Sequence, residues 1–542
     1  MTGEPQTTSR SHFWVLLLAW FVSWAGLSHG YLENTDAIVT MHAARSWWAT
    51  GDPGLSLEQK ELTQAERVAL AGSGQLMRGQ NGKYYAQFAI GHQALMVPCV
   101  ALGALFADLF PTLEARHQES HGESPHWGGH FFVRLFCSLL PIPFAALAAL
   151  ALFALARVLG CGAADAGRVM LITVLATQVG GGATETMSDV PGLCLLLWTL
   201  VHVARHDDFG GTRSAFMAGL CGGGTVLVRY PNAIPVAILG CLVLVAALRR
   251  KAVAEIAAFA AGAAPALLAL LFANWWRFGS VLETGYGGGA NASWWDMPLV
   301  YGLPLVLGAP GKGILWFSPP LWSAFLGGLP RRRGFAMTAI AAAVAPVFLV
   351  AHTRGWSGAQ CWGIRYLTPS VAILVGVGLA LGRPWVRWPR LVTATTVVGV
   401  LLNFFAWTAP YRGHLQLASE SARVAYSEEL AAGKTTLGSL SDQYFVDPHF
   451  SPLFGHAVYG AASALGILSP DRLPDVTRVM FAGQPVPATV PPLLREDTGF
   501  LHLLPSYLAA AMRAPAAAFW LPWLLLVAVA WRRALRALRA AS

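Results

Sequence analysis

The chain of 542 residues contains little charge. Asp, Glu, Lys and Arg make up 12% of the sequence, whereas an average soluble domain carries about 25%. Hydrophobic residues make up 55%, and the mean hydropathy is +0.51. Apolar runs of about 18 or more residues recur along the chain, which is typical of membrane-spanning helices. The composition excludes a soluble globular domain and predicts an all-α polytopic membrane protein.

Several reaction signatures are also missing. The sequence has no G-x-x-x-x-G-K-[ST] loop and no H-E-x-x-H motif. Its seven cysteines form no paired framework and lie mostly in apolar runs, which is typical of small buried hydrophobes. The net charge of +9 does not indicate nucleic acid, because an excess of Lys and Arg in a membrane protein marks cytoplasmic loops.

The clusters of basic residues predict the topology. If every cluster is cytoplasmic, about twelve spans place both termini inside, and the first apolar run is a retained span because no A-x-A-like cleavage site follows it. The predicted spans are residues 12–30, 131–156, 167–183, 189–205, 213–229, 232–248, 252–273, 312–329, 334–351, 366–382, 391–409 and 514–531.

One apolar run, Ala89–Ala107, is left out of this count. A span there would turn every later basic cluster outward, so we expect a re-entrant or interfacial segment. The sequence then divides into a transmembrane module (1–409, with a first extracytoplasmic loop at 31–129), an extracytoplasmic region (410–513), and a last span with a basic cytoplasmic tail (514–542).

The stretch GYLENTDAIVTMHAARSWWATGD follows the first span and places Asp36 at the membrane boundary. Apolar residues recur at helical spacing from Thr35 onward, with Asn34 or Thr35 as N-cap and Gly51 as the stop. These features predict an interfacial helix with Asp36 in its first turn. Its carboxylate has two interpretations: it caps the helix, or it accepts a proton from a hydroxyl nucleophile.

Asp36, followed by Ala44-Arg45 and Gly51-Asp52, resembles the first-loop motif of the C-type (GT-C) membrane glycosyltransferases. That superfamily includes the protein O-mannosyltransferases and the lipid A aminoarabinose transferases. The likeness covers roughly residues 12–410 in scattered blocks. The later blocks that resemble the bacterial members are NGKYYAQFAIGHQALMVPCVALG, RLFCSLL, ALARVLG, VRYPNA, NWWRFGSVLETGYG, GKGILWFSPP and WGIRYLTPS.

The resemblance implies a reaction and a set of site residues. It implies inverting transfer of a sugar from a polyprenyl-phosphate donor to a lipid, glycan or protein acceptor, outside the cytoplasmic (plasma) membrane. Asp36 would be the catalytic base, with Asp189 as a second acid. Cations would meet the charge on the leaving phosphate. The expected phosphate-binding residues are Arg365, Arg134, Lys83 and Arg229, with Lys312 as a further candidate, and the expected substrate-binding residues are Glu33, Tyr85, His92 and Tyr366.

The sequence departs from the family at one block. The usual Lys-x-Pro-Pro-Gly is Gln87-Phe88-Ala89-Ile90-Gly91 here, so the first position carries no charge, and Lys83 is the candidate to replace it. No cofactor or metal is expected, although some superfamily members use a divalent cation. The histidines of HQESHGESPHWGGH lie in a glycine- and proline-containing loop and favour a solvated cluster over a zinc site.

Other interpretations stay open. About half of the five candidate cations are expected to have no role in phosphate binding and only to extend their charged ends to the membrane interface. Asp189 is as well explained as a helix cap, and Glu33 as an exposed loop residue. A transporter or flippase of lipid-linked or small solutes is the main alternative function. It would need ionisable residues at mid-membrane and usually has paired halves, whereas the acids here lie at predicted span ends and no repeat is evident. A relative of the glycosyltransferases that has lost catalysis is the third possibility.

Overall fold

The computed structural model describes residues 10–32, 34–57, 67–68, 70–71, 74–121, 130–286, 295–328, 332–358, 361–408, 411–432, 445–465, 472–484, 504–512 and 514–540. Within these ranges the chain is almost entirely helical, and its strands form a single antiparallel hairpin, β1 (Leu76–Arg78) with β2 (Tyr84–Ala86). The all-α fold predicted from the composition is confirmed.

Eight helical stretches among the described residues are long and apolar enough to cross a membrane, so this is a multi-pass membrane protein. Two of them are the most enclosed, with 72% of the apolar window buried, and form the centre of the bundle. The eight are Ile90–Leu109, Phe131–Val158, Tyr230–Arg249, Val253–Phe278, Arg333–Ala351, Arg365–Gly382, Pro389–Trp407 and Ala517–Leu538.

The helices of the amino-terminal half begin with α1 and the first loop. In chain order they are α1 (Arg10–Leu27), α2 (Thr35–Thr50), α3 (Ile90–Leu109), α4 (Pro111–His121), α5 (Phe131–Ser138), α6 (Pro141–Val158), α7 (Ala163–Leu175), α8 (Gln178–Gly181), α9 (Asp189–Phe209), α10 (Thr212–Val228), α11 (Ala233–Arg249) and α12 (Val253–Phe278).

The carboxyl-terminal half continues the bundle and adds shorter helices that pack on it. These are α13 (Leu299–Gly308), α14 (Ile314–Phe317), α15 (Leu321–Ala324), α16 (Arg333–Ala351), α17 (Thr368–Gly382), α18 (Pro384–Arg387), α19 (Pro389–Thr408), α20 (Tyr411–Ala425), α21 (Ser427–Ala431), α22 (Pro452–Ala464), α23 (Leu473–Met480), α24 (Leu504–Met512) and α25 (Ala517–Ala540). Single 3₁₀ turns span Gly182–Thr184, Tyr230–Asn232, Arg365–Leu367 and Pro448–Phe450.

Helix α2 forms as its capping residues predict. Asn34 Oδ1 accepts the N–H of Ala37 at 2.7 Å, and Gly51 ends the helix with φ 74°, a conformation that favours glycine. The inner face of α2 packs on α3 through Ile38 and Met96. Local capping and one apolar stripe therefore fix the helix that carries Asp36.

Three topology predictions need correction. The run Ala89–Ala107 forms the continuous helix α3, so it is not re-entrant; an interfacial position stays a prediction. The predicted span 312–329 consists of two four-residue helices separated by Pro319 and Pro320, because proline cannot donate to a helical hydrogen bond. The predicted span 167–183 falls on α7 (Ala163–Leu175), whose thirteen residues are too few to cross the membrane.

Helices α10 and α12 approach each other through glycines. A Cβ on Gly219 would lie 2.0 Å from the carbonyl oxygen of Phe259, and one on Gly262 would lie 2.1 Å from that of Phe216. Small residues allow such close backbone contact between membrane helices, which are held together by van der Waals packing. This contact fixes α10, whose carboxyl end leads into Arg229.

We expect Gly219→Ala to lower the thermal unfolding midpoint in detergent, because the added methyl group forces α10 and α12 apart at a cost of about 1–3 kcal/mol. Gly224→Ala on the same helix is the matched control, since its Cβ would meet only Leu195 at an ordinary 3.4 Å. Equal midpoints for the two variants would contradict the close packing.

Candidate active site

Asp36 and Arg365 form an ion pair at the amino-terminal end of α2. Asp36 Oδ2 lies 2.7 Å from Arg365 Nη2, and the two side chains are only 20% and 14% exposed. Gln75, just before β1, donates a hydrogen bond from Nε2 to Asp36 Oδ1. The positive end of the helix dipole also favours the ionised carboxylate. Arg365 and Gln75 therefore hold the Asp36 carboxylate in place, and it stays partly accessible. The side-chain cap of α2 is provided by Asn34.

A second ion pair joins Asp189 to Arg229. The first residue of α9 is Asp189, and Arg229 follows the last residue of α10; Arg229 Nη2 lies 3.0 Å from Asp189 Oδ1, with both side chains buried. Arg229 also donates to Ser188 Oγ at 3.2 Å. The pair joins the beginning of α9 to the end of α10, because the two helices run in opposite directions and these ends lie at the same side of the bundle.

The ring of Tyr366 lies close to both arginines. The Cζ atoms of Arg365 and Arg229 are 5.1 and 5.5 Å from its centroid, within the range of a cation–π interaction. Arg365 Nη2 also lies 3.5 Å from the Tyr366 hydroxyl. Tyr366 therefore connects the Asp36–Arg365 pair to the Asp189–Arg229 pair, and these five residues are called the paired-arginine site below.

His92 and Tyr286 complete the surroundings. His92, on the first turn of α3, is buried within electrostatic range of Asp36 and Arg229. Tyr286 is half-exposed and lies within electrostatic range of Asp36, Tyr366 and both arginines. Its ring meets that of Tyr230 edge-on, with centroids 6.3 Å apart. Tyr286 was not predicted, although it lies in the GYG sequence of a family-like block.

Two predicted residues, Lys83 and Tyr85, lie elsewhere. Lys83 Nζ is 2.9 Å from Asp52 Oδ2, and the Tyr85 hydroxyl donates to the same oxygen at 3.4 Å. Asp52 follows the far end of the sixteen-residue α2, about 24 Å along the axis from Asp36 at about 1.5 Å per residue. The hairpin runs along α2, so Gln75 reaches Asp36 whereas Lys83 is held at the other end.

Arg134 belongs to another cluster. It is fully buried on α5, close to His42 and Arg45 on the middle of α2. Burial, followed by the charges of Arg45 and Arg134, holds the pKa of His42 well below its usual range. Arg45 is nine residues beyond Asp36, so this cluster is separate from the paired-arginine site. The extracytoplasmic position of Arg134 stays a prediction, and its neighbours on α2 were not predicted from the sequence.

The remaining predictions concern Glu33 and metal ions. Glu33 lies outside the described residues, as do residues 122–129 of the histidine-rich stretch. His117 lies on α4, which replaces part of the predicted loop by a helix. Within the described ranges no group of three or more His, Cys, Asp or Glu side chains is arranged to hold a metal ion.

The loop that carries Arg365 is held from behind by buried side chains. Glu185 Oε1 accepts the N–H of Trp362 at 3.1 Å, and Gln178 Nε2 donates to the carbonyl of Ile364 at 2.9 Å. Burial raises the pKa of Glu185 to about 7, although the Trp362 N–H and the charge of Lys312 act in the opposite direction. Glu185 is thus a carboxyl group that titrates near neutral pH directly behind the site.

No family model matches the chain, and no curated protein matches it. Among solved structures it is similar to ArnT from Cupriavidus metallidurans bound to undecaprenyl phosphate, at 16% identity and a TM-score of 0.43, over 90% of this chain and 76% of that one. It is also similar to an oligosaccharyltransferase from Archaeoglobus fulgidus, at 11% identity and a TM-score of 0.35, over 82% of this chain and 60% of that one.

A further similar structure is AglB of the same archaeon, in complex with an inhibitory peptide and a dolichol-phosphate. The identity is 11% and the TM-score 0.31, over 89% of this chain and 61% of that one. ArnT and AglB both belong to the GT-C superfamily that the first-loop motif resembles. Likeness at these values defines no activity, so the chemistry must be derived from the side chains around Asp36.

We expect the thermal midpoint of the wild type to fall, relative to Glu185→Gln, as the pH rises from about 4.5 to about 7. A carboxyl group whose pKa is raised from 4.5 to about 7 binds its proton more tightly when folded, so stability present below pH 4.5 is lost across that window. Scanning fluorimetry in detergent at several pH values measures the difference.

Asp475→Asn serves as the control for this titration, because Asp475 is 77% exposed and pairs only with its helix neighbour Arg478. Its midpoint should follow the wild type at every pH. Parallel curves for wild type and Glu185→Gln would show that Glu185 does not titrate in this range.

Proposed function

We propose that the chain is a membrane glycosyltransferase that moves a sugar from a polyprenyl-phosphate donor to an acceptor hydroxyl, with inversion and with Asp36 as the base. The observation that carries the proposal is the contact between Asp36 and Arg365 beside a second arginine, Arg229. This arrangement places a proton acceptor next to two cations suited to a phosphate leaving group.

The chemistry divides between these side chains. Asp36 takes the proton of the acceptor hydroxyl while the acceptor oxygen forms a bond to the anomeric carbon. The bond from that carbon to the phosphate oxygen breaks, and its electron pair leaves with the polyprenyl phosphate. Arg365 and Arg229 stabilise the negative charge that develops there. Displacement from the face opposite the phosphate inverts the anomeric centre.

Arg365 can serve the base and the phosphate at once. A guanidinium carries five N–H donors in a planar fork, and the contact with Asp36 is made through Nη2. The same group donates from Nη1 toward the sulfur of Met187, a neutral partner that an anion can replace. A phosphate bound through Nη1 would therefore be held by the same guanidinium that contacts Asp36 through Nη2.

An apolar crevice opens among the helices that flank Arg229 in the chain. Val226 on α10, three residues before Arg229, and Val236 on α11 both line it. The crevice continues between α10, α11 and α12 past Gly223 and Gly240. An apolar crevice between membrane helices suits a polyprenyl chain, which supports a lipid-linked donor.

The location of the site supports an extracytoplasmic reaction. Asp36 comes directly after the first apolar helix, whereas the basic clusters that mark the cytoplasmic side lie at the opposite ends of the spans. Trp48, on the same helix, is 57% exposed, as expected of a side chain at the level of lipid headgroups. We propose the cytoplasmic membrane as the location and a lipid, glycan or protein as the acceptor.

Asp36→Asn tests the base directly. Asparagine keeps the size and the hydrogen bond to Gln75 but cannot take the proton, so we expect transfer of labelled sugar to fall by about 10²–10⁴-fold. The assay measures transfer from a pool of polyprenyl-phosphate sugars in membranes that contain equal amounts of folded protein.

Asp296→Asn is the matched control, since Asp296 is an exposed extracytoplasmic carboxylate paired with Arg354 at 2.6 Å and outside the paired-arginine site. It should transfer at the wild-type rate. Equal transfer by Asp36→Asn and the wild type would remove Asp36 as the base and with it the proposed mechanism. Absence of transfer by the wild type from every donor would favour the lipid-transport alternative.

A further inference from the structure

The short loop from Cys361 to Arg365 depends on a buried lysine. Lys312 Nζ donates to the carbonyl oxygens of Cys361 and of Gly363, the latter at 3.1 Å. Gly363 has φ 64°, and a Cβ there would lie 2.5 Å from Gln178 Oε1, so this turn accepts only glycine without strain. The lysine therefore fixes two carbonyls on a tight turn that ends two residues later at Arg365.

The ammonium of Lys312 is enclosed by aromatic rings from the region beyond the membrane module. It lies 4.9 Å from the ring centroids of both Tyr411 and Phe445, and its side chain is fully buried. A buried ammonium is tolerated when carbonyl oxygens and aromatic faces replace its hydration. Tyr411 and Phe445 thus take part in holding a charged group behind the paired-arginine site.

Further contacts attach this region to the same place. Gly311 donates its N–H to the carbonyl of Phe445 at 2.8 Å, and Ser451 Oγ donates to the carbonyl of Pro310 at 2.7 Å. Trp362 packs against Tyr411 and His456, with ring centroids 5.8 and 5.2 Å away. Lys312 and the loop that it holds are therefore both in contact with this region.

We propose that Lys312 is a positioning residue that sets the location of Arg365, and that Tyr411 and Phe445 make the region after the membrane module part of the active site. The proposal rests on the function proposed above. Lys312 acts through the backbone of the loop, by holding the carbonyls of Cys361 and Gly363.

The first test is a double-mutant cycle on sugar transfer. We expect Lys312→Met to lower kcat by about 10–100-fold, because a shift of about 1 Å in a charged group can cost 10²-fold, while the KM for acceptor changes less than about two-fold. In the Arg365→Lys background, which keeps a cation, Lys312→Met should change kcat less than about two-fold. Effects that multiply in the double variant would overturn the proposal.

Variants of the surrounding residues sharpen the cycle. Lys312→Arg keeps the charge and should recover part of the lost kcat. Tyr411→Leu keeps the lysine but removes one of the two rings around its ammonium, so we expect kcat to fall by less than in Lys312→Met. This variant replaces Lys312→Met in the test if Lys312→Met does not fold. Arg354→Met is the control: it removes an exposed cation in the segment before the loop, and the variant should transfer sugar at the wild-type rate.

The second test does not require activity. Hydrogen–deuterium exchange of the full chain in detergent should show faster exchange in the peptide covering 361–367 for Lys312→Met, with no change in α9 or α10. Unchanged exchange at 361–367 would overturn the positioning role. If the wild type transfers no sugar, the proposed function fails, and the exchange result still decides whether Lys312 holds the loop.

Discussion

The ion pair between Asp36 and Arg365 is the constraint on which the site depends. Asp36 lies in the first turn of α2, which follows the apolar helix α1, and Arg365 begins one of the two most enclosed membrane stretches. Removing either leaves the other charge at a low-dielectric boundary without its counter-charge, which is costly. The first loop and the Arg365 loop are therefore positioned by each other, and the space between them is where a substrate can meet both.

The second pair gives this site its balance of charge. Asp189 and Arg229 neutralise each other as Asp36 and Arg365 do, so the paired-arginine site holds two positive and two negative charges. A bound phosphate would add negative charge beside both guanidinium groups, which lie on the same ring of Tyr366. Neutrality without ligand limits the cost of keeping four charged groups buried or partly buried.

Features that depend on residues close together in the chain could be predicted from the sequence, and features that depend on distant residues could not. Helix α2 was predicted with its caps because Asn34 and Gly51 act within one turn. The membrane bundle follows from hydropathy, but the break at Pro319 and the continuity of α3 depend on competing local and tertiary effects that hydropathy averages over. Gln75 and Tyr286 carry no charge that would mark them as site residues, and only the folded hairpin and loop bring them to Asp36.

Gln87, which stands where the motif that the sequence resembles has a lysine, has a structural role beside Asp36. Its N–H donates to the carbonyl of Gln75 at 3.0 Å, and the Gln75 side chain bonds to Asp36. Gly285, next to Tyr286, lies against the Cα of Gln87. The position therefore supports the wall of the site through its backbone, whatever its side chain. Because Arg229 and Arg365 already supply two cations near Asp36, the proposed phosphate site does not depend on a charge at position 87.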